Sequence, residues 1–286
     1  MNGFLNIIKP TGVSSGLIVN KVKKITGEKV GHLGTLDPAA SGVLTLAIGK
    51  ATRFFDYFLN KDKEYIALAK FGVLTDTLDA DGMVLKREEK QISFEEVAET
   101  AKTLIGQVEQ IPPIFSSKNI GGQRAYDLAR SGNEVVLKPK KVQIYDIKVE
   151  KTAQNDLFKL KIHCSSGTYV RSIVRDIAQK LGTVATTVCI IRTKSGVFKI
   201  EDAYTFDEIK DNVSDKICVV SDIMPMQKIV INNKIAKDFY NGKSVQSSKA
   251  DGEYLLIYND KEFAVAECFK GCLKKKIYLY EGEING

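Results

Sequence analysis

The chain has 286 residues, of which 44% are hydrophobic and 27% are charged. This ordinary globular composition excludes a disordered or fibrous protein and fits one large domain or two unequal ones. Lys and Arg number 42 against 35 Asp and Glu, so the net charge of +7 is compatible with a polyanionic partner without demonstrating one. No run of roughly 18 apolar residues predicts a membrane helix. Five scattered Cys and two His predict neither a disulfide framework nor a metal site, and they favour a cytoplasmic location.

The first part of the chain predicts two strands around one helix. The helix has a serine for its N-cap, an apolar face at helical spacing and a glycine at its end. A loop dense in small residues, 31–42, follows the helix and leads into the second strand. The predicted elements are a strand at 4–8, a helix that begins at Ser14 or Ser15 and ends at Gly27, and a strand at 43–48.

The middle of the chain predicts a mixture of helices and antiparallel strands. Residues 63–71 alternate between apolar and polar side chains, which predicts a half-buried strand. Ser93 and Glu96 form a capping box at the start of a helix. The turn at 152–156 suits an antiparallel hairpin. The further predicted elements are strands at 142–149 and 157–164, a helix opened by Gly167 and ended by Gly182, strands at 184–192 and 197–200, and short helices near 124–130 and 206–210.

The composition changes after about Asp222. All seven Arg lie between Arg53 and Arg192, and the remainder of the chain has short strand-like runs separated by Gly and Asn. This change predicts a small β-rich second domain at 222–286, behind a large domain at 1–221. The strand-like runs lie at 229–231, 254–258, 263–268 and 277–280.

The loop at 31–42 is the most unusual stretch of the sequence. Asp37 is its one acid, and Pro38 removes a backbone donor and biases Asp37 toward an extended conformation. On the residues alone two interpretations stay open: a rigidly presented reactive carboxylate, or an Asp-Pro pair that starts a turn. The sequence contains no nucleotide-binding glycine loop, nucleophile elbow or zinc-protease motif, so carboxylates are the reactive groups that remain.

Several motifs resemble, in order, those of the TruB family of tRNA pseudouridine synthases. The loop around Asp37 resembles the catalytic-aspartate motif of that family, and the match extends from about residue 3 to residue 200. Beyond about Asp222 the match is weak. The other motifs are Lys9-Pro10-Thr11-Gly12-Val13-Ser14-Ser15, Lys63-Glu64-Tyr65, Ile111-Pro112-Pro113-Ile114-Phe115-Ser116-Ser117-Lys118 with Gly122-Gln123-Arg124-Ala125-Tyr126 in an RNA-contacting insertion at about 112–141, and Ser166-Gly167-Thr168-Tyr169-Val170-Arg171-Ser172.

The resemblance implies an α/β (α+β) fold. A large mixed, mainly antiparallel sheet flanked by helices is expected, with a small C-terminal β-rich domain of PUA-like type. The implied reaction is the isomerisation of a uridine in RNA to pseudouridine, and the expected target is the uridine at position fifty-five in the T loop of tRNA. The implied partner is the T-loop arm of tRNA. No cofactor, metal, membrane or obligate protein partner is expected.

The resemblance also assigns roles to residues. Asp37 is expected to be the nucleophile, or the base that acts at C1′, and Arg171 its counter-cation. Tyr65 is expected to offer an aromatic face and a hydroxyl near the reacting atoms. His32 is expected to help prise the target nucleotide from its loop. The implied substrate-binding residues are Lys9, His32, Tyr169, Lys118, Arg124, Lys140 and Lys141.

Alternatives stay open for the function and for single residues. A non-catalytic RNA-binding module or RNA-folding factor would keep the same surface. A glycosidase-like hydrolase would use Asp37 with a second acid, which the motifs do not single out. Tyr65 can be plain core packing, and Arg171 can be a solvated helix arginine that pairs with Asp176 or with phosphate. Release of free uracil from RNA would favour the hydrolase, and pseudouridine retained in the RNA would favour the isomerase.

Overall fold

The computed structural model describes residues 1–115, 119–120, 123–124 and 137–284. A short 3-10 helix at Gly49–Phe54 connects β3 to α2 in the list that follows. Up to residue 110 the elements are β1 (Gly3–Lys9), α1 (Ser15–Thr26), β2 (Val30–His32), β3 (Ser41–Ile48), α2 (Phe55–Leu59), β4 (Lys63–Phe71), β5 (Val73–Thr75), β6 (Val84–Arg87), α3 (Phe94–Lys102) and β7 (Gly106–Gln110).

The second half of the chain continues with a two-stranded ladder and the central hairpin. Its elements are β8 (Asn119–Ile120), β9 (Gln123–Arg124), β10 (Lys140–Lys151), β11 (Leu157–Cys164), α4 (Val170–Lys180), β12 (Ala185–Ser195), β13 (Phe198–Lys199), α5 (Phe206–Lys210), α6 (Val220–Ile223), β14 (Gln227–Val230), α7 (Asn233–Tyr240), β15 (Val245–Gln246), β16 (Gly252–Tyr258), β17 (Lys261–Phe269) and β18 (Cys272–Tyr278).

A nine-stranded sheet forms the centre of the molecule, in the order β1-β3-β12-β4-β11-β10-β7, with β2 on β3 and β13 on β12. Its pairs are antiparallel except for β12 with β3. The predicted large mixed, mainly antiparallel sheet is therefore confirmed. Helices α1, α3 and α4 pack on it through one apolar cluster that includes Val22, Val97 and Ile173, all without exposed surface.

Local sequence signals explain where several elements begin and end. The side chain of Ser14 accepts a hydrogen bond from the N–H of Leu17 and caps α1, and Gly27 ends this helix with a φ of +69°. The predicted capping box of α3 is formed by Ser93 and Glu96. Strand β4 has the bounds that alternation predicts. Helix α7 and strands β2 and β7 were not predicted from the sequence.

A second sheet has the order β14-β16-β17-β18-β15 and makes the C-terminal part β-rich, as predicted. The two sheets share an apolar cluster, in which Phe4 and Phe54 pack with Leu255 and Val265. The boundary at 221–222 between two domains stays a prediction. Among the described residues, no helix combines the length and the apolar character needed to cross a membrane.

Gly42 lies where β3 runs beside β12, and its backbone has a φ of +102°. A Cβ at this position would overlap the carbonyl oxygen of Arg192 on the neighbouring strand. We expect Gly42→Ala to lower the free energy of unfolding by at least about 2 kcal/mol, because backbone strain and the overlap act together. Gly27 has a positive φ but no atom within 4 Å of its Cβ position. Gly27→Ala is therefore the control and should cost about 1 kcal/mol. Equal losses in urea unfolding would contradict the role of the strand contact.

Candidate active site

The loop that carries Asp37 rests on the N-terminal motif. Lys9 has no exposed surface, and its ammonium donates to the carbonyl oxygens of Val13 and Pro38 at 2.7 and 3.3 Å. The N–H of Gly12 donates to the same Pro38 oxygen at 2.8 Å. Burial lowers the pKa of Lys9 to about 8, although the charge of Asp37 opposes the shift. The motif thus holds the backbone directly after Asp37 in place.

Arg171 connects α4 to the Asp37 loop. Its side chain is 4% exposed, and Nη2 donates to Oδ2 of Asp37 at 2.6 Å and to the carbonyl oxygen of Phe115 at 2.9 Å. The predicted pairing of Arg171 with Asp37 is therefore present, while 32% of the Asp37 side chain stays exposed. The alternative pairing of Arg171 with Asp176 is wrong, because Arg175 holds that carboxylate at 2.7 Å.

A second carboxylate on Arg171 was not singled out from the sequence. Nη1 donates to Oδ2 of Asp79 at 2.9 Å and to the carbonyl oxygen of Thr77 at 2.8 Å. The Asp79 side chain is 9% exposed. Burial raises its pKa, and the Thr77 hydroxyl and the Arg171 charge act against that shift. The only feature of the sequence that could have drawn attention to Asp79 is the acid-rich run at 76–81. Arg171 lies 92 positions after Asp79, and no sequence spacing connects the two residues.

Tyr65 lies on β4 directly opposite Arg192 of β12. Burial raises the pKa of its hydroxyl, and the Arg192 guanidinium opposes this shift. Lys63 lies two residues earlier and so on the same face of the strand; it is 6% exposed, and burial lowers its pKa to about 8. Neither Lys63 nor Arg192 was singled out from the sequence as a site residue. Alternation identifies a strand and its buried face, and it does not identify which buried residues meet a cavity.

These side chains surround a cavity of about 340 Å³, a volume within the roughly 300–1,000 Å³ of small-molecule sites. Among the described residues its lining contains one carboxylate against four cations, which suits a ligand that carries phosphate. The predicted site residues in the lining are Asp37, Tyr65, Tyr169, Arg171 and Lys140. The other lining residues are Gly34, Thr35, Leu36, Ala40, Leu59, Asn60, Lys63, Ser166, Gly167, Thr168, Val170, Ile190 and Arg192.

The remaining predicted substrate contacts have different positions. Lys9 lies beneath the Asp37 loop with its ammonium on backbone carbonyls, so a direct contact with RNA does not fit its complete burial. His32 ends β2 and is partly exposed, but it does not line the cavity. Lys140 lies at the rim, where a Cβ on Gly167 would stand 2.5 Å from its Nζ. Lys141 is the next residue on β10, which places it on the other face of the strand.

Two predicted contacts fall outside the residues that the structure describes in full. Lys118 is one of them, and of Arg124 only the place in β9 is described. The short helix predicted near 124–130 lies outside the described residues as well. Within the described ranges, no group of three or more His, Cys, Asp or Glu side chains is placed to hold a metal ion.

Comparisons with known proteins identify the family. The sequence model for the TruB family pseudouridylate synthase, N-terminal domain, matches residues 22–170, just over half of the chain. The tRNA pseudouridine synthase B of Clostridioides difficile strain 630 is 38% identical over 280 residues, which cover 92% of this chain and 93% of that protein. The protein of that name from Caldicellulosiruptor saccharolyticus is 37% identical over 283 residues, with 99% and 95% covered.

Solved structures share the fold at lower identity. A structure described as an H/ACA RNP bound to a substrate RNA containing 2′-deoxyuridine aligns with a TM-score of 0.71 and 20% identity, over 99% of this chain and 87% of that one. A Cbf5-Nop10-Gar1 complex aligns with a TM-score of 0.67 and 23% identity, over 98% and 84%. The fold agrees with the family that the more similar sequences define. The chain therefore belongs to the TruB family of tRNA pseudouridine synthases and is an isomerase.

Proposed function

We propose that the enzyme converts the uridine at position fifty-five in the T loop of tRNA to pseudouridine, after this nucleotide has been flipped into the cavity. The observation that carries the proposal is the placement of Asp37: its carboxylate is held by the buried Arg171 at 2.6 Å and faces a nucleoside-sized cavity in a member of this family.

The placement of Asp37 in the lining of a cavity supports base flipping. A uridine stacked inside a folded loop cannot bring its C1′ atom to Asp37, so the nucleotide has to leave the stack before it can react. The cavity lining includes the aromatic side chains of Tyr65 and Tyr169, and aromatic faces stabilise an unstacked base. Part of the cost of extruding the nucleotide is thereby offset inside the protein.

The chemistry rearranges one bond and conserves all atoms. The bond between N1 and C1′ breaks, the uracil turns, and a bond forms between C5 and C1′. C5 then loses its proton and N1 carries one, so product and substrate are isomers and the balance needs no oxidant or reductant. Asp37 acts on the sugar, either as the nucleophile at C1′ or as a base that starts the cleavage.

Arg171 holds and orients Asp37 through the ion pair at 2.6 Å. The planar fork of Arg171 also fixes direction, because Nη2 binds Asp37 while Nη1 binds Asp79. Asp79 does not line the cavity. A hydrolase with two acids on one substrate is therefore the weaker candidate.

Phosphate contacts at the rim supply affinity for RNA. Lys140 lines the cavity, whereas Lys141 lies on the other face of β10. We expect Lys140→Gln to reduce the slope of log affinity against log salt by about 0.7 to 0.9, since one phosphate contact is lost. Lys141→Gln is the matched control and should leave the slope unchanged. Fluorescence anisotropy with labelled tRNA at several salt concentrations measures both slopes, and equal effects would place the RNA elsewhere.

The direct test is incubation with unmodified tRNA, followed by mapping of pseudouridine at every position. The proposal requires pseudouridine at position fifty-five, and no product in a control tRNA with cytidine there. Bound tRNA without any pseudouridine would support a non-catalytic RNA-binding protein. Free uracil in solution would support a hydrolase.

A further inference from the structure

Arg192 is among the largest side chains without appreciable exposure, at 2%. In the part of the chain that the structure describes, no carboxylate pairs with it. Its guanidinium instead donates to carbonyl oxygens: Nε to Val43 at 2.8 Å, Nη1 to Thr35 at 3.1 Å and Nη2 to Gly34 at 3.1 Å. An arginine buried in this way is costly unless its donors are satisfied. The burial of Arg192 therefore points to a role other than packing.

The backbone positions around Arg192 indicate this role. Strand β12 lies between β3 and β4, so Arg192 is in register with Gly42 on one side and Tyr65 on the other. The two carbonyls that its Nη atoms hold belong to Gly34 and Thr35, just ahead of Asp37. One side chain therefore connects the strand of Tyr65 to the loop of Asp37.

The donor count leaves Arg192 free to act on Tyr65. A guanidinium has five N–H groups, and the three carbonyl bonds use three of them. Tyr65 lies opposite Arg192 in the register of β4 and β12, both side chains line the cavity, and the charge of Arg192 acts to lower the pKa of the Tyr65 hydroxyl. A guanidinium can only donate, so a bond from one of the remaining N–H groups would make the Tyr65 oxygen the acceptor and would fix the orientation of the hydroxyl.

We infer that Arg192 is a positioning residue for the isomerisation, which holds the Tyr65 hydroxyl in a fixed orientation relative to the Asp37 loop. The inference rests on the proposed function, in which both residues face the flipped uridine. It assigns no contact between Arg192 and the reacting atoms. Its effect on catalysis passes through Tyr65 and through the backbone of the Asp37 loop.

Several charged or titratable groups act on the Tyr65 hydroxyl. Arg192 lowers its pKa, whereas burial, Cys164 and Asp37 raise it. Lys63 adds a further buried cation on the same strand face, and burial raises the pKa of the Cys164 thiol to about 12. Loss of the Arg192 charge should therefore move the titration of Tyr65 to higher pH.

The kinetic test is a double-mutant cycle between Arg192 and Tyr65, read as single-turnover rates on unmodified tRNA. Arg192→Lys keeps the charge and can still donate to a loop carbonyl, but it loses the planar fork. We expect it to lower the rate about 30-fold, with tRNA affinity within about threefold. In a Tyr65→Phe background the same change should cost a clearly smaller factor, since the coupling to Tyr65 is lost and only the effect through the Asp37 loop remains. Equal factors in both backgrounds would overturn the inference.

A spectroscopic test needs no turnover and therefore stands apart from the proposed function. The difference in tyrosinate absorbance between the unmutated enzyme and Tyr65→Phe isolates the titration of Tyr65. The same difference in an Arg192→Gln background should titrate at higher pH, and an unchanged midpoint would overturn the inference. Failure of the proposed function has a different signature: the unmutated enzyme would form no pseudouridine at position fifty-five, whatever the titration shows.

Discussion

Asp37→Asn should abolish turnover while it leaves tRNA affinity within about tenfold, or about 1.4 kcal/mol of binding free energy. The substitution keeps the size of the side chain and removes the charge. Arg171 retains Asp79 as a charged partner at 2.9 Å, so the fold around the site should survive. Release of tritium from tRNA labelled at C5 of uridine measures turnover, because this hydrogen leaves the carbon in the reaction. Filter binding measures affinity.

The matched control for this result is Asp81→Asn. Asp81 is an exposed acid of the same region, and its backbone N–H, which the substitution keeps, is the group that bonds to Asp79. We expect the activity of this variant to stay within about twofold of the unmutated enzyme, as is usual for a surface change. Pseudouridine formed by a deamidation-free preparation of Asp37→Asn would remove Asp37 from the catalytic role.

Arg171→Ala should reduce the single-turnover rate strongly, because Asp37 loses the buried guanidinium that holds its carboxylate at 2.6 Å. Arg171→Lys should be intermediate, because a point charge replaces a two-pronged fork. Single-turnover rates of both variants on unmodified tRNA measure the effect, and an unmutated rate for Arg171→Ala would contradict the role of the pairing.

The stability of Arg171→Ala should depend on pH. Asp79 would be a buried carboxyl without its cation, and a loss of about 3–5 kcal/mol in the free energy of unfolding is expected at neutral pH. A carboxyl whose folded pKa lies above its unfolded value stabilises the protein at low pH, and this contribution is lost as the pH rises. The loss in the free energy of unfolding should therefore increase as the pH rises above about 4. The double variant Arg171→Ala/Asp79→Asn should recover part of the lost free energy of unfolding, which urea unfolding measures.

Local sequence signals were sufficient to predict the helices and strands whose formation depends on their own residues. Strand β4 follows from alternation along the strand itself, and α1 begins and ends at the predicted caps because a cap acts within one turn. Strand β2 and helix α7 were not predicted. Strand β2 has only three residues and is stabilised by its pairing with β3. A pattern within three residues does not indicate a pairing partner elsewhere in the chain.

The sequence by itself determined the family, the sheet class, Asp37 as the candidate carboxylate and Arg171 as its cation. Motifs preserve residue types and their order, and residue types define the chemistry that is possible. Only the tertiary structure decided that Asp37 and Asp79 share Arg171, that Lys63 and Arg192 line the cavity with Tyr65, and that Lys9 donates to the backbone of the Asp37 loop. These contacts arise where strands pair and helices pack across long stretches of chain, and burial then changes the pKa of each group. No spacing along the sequence encodes that proximity.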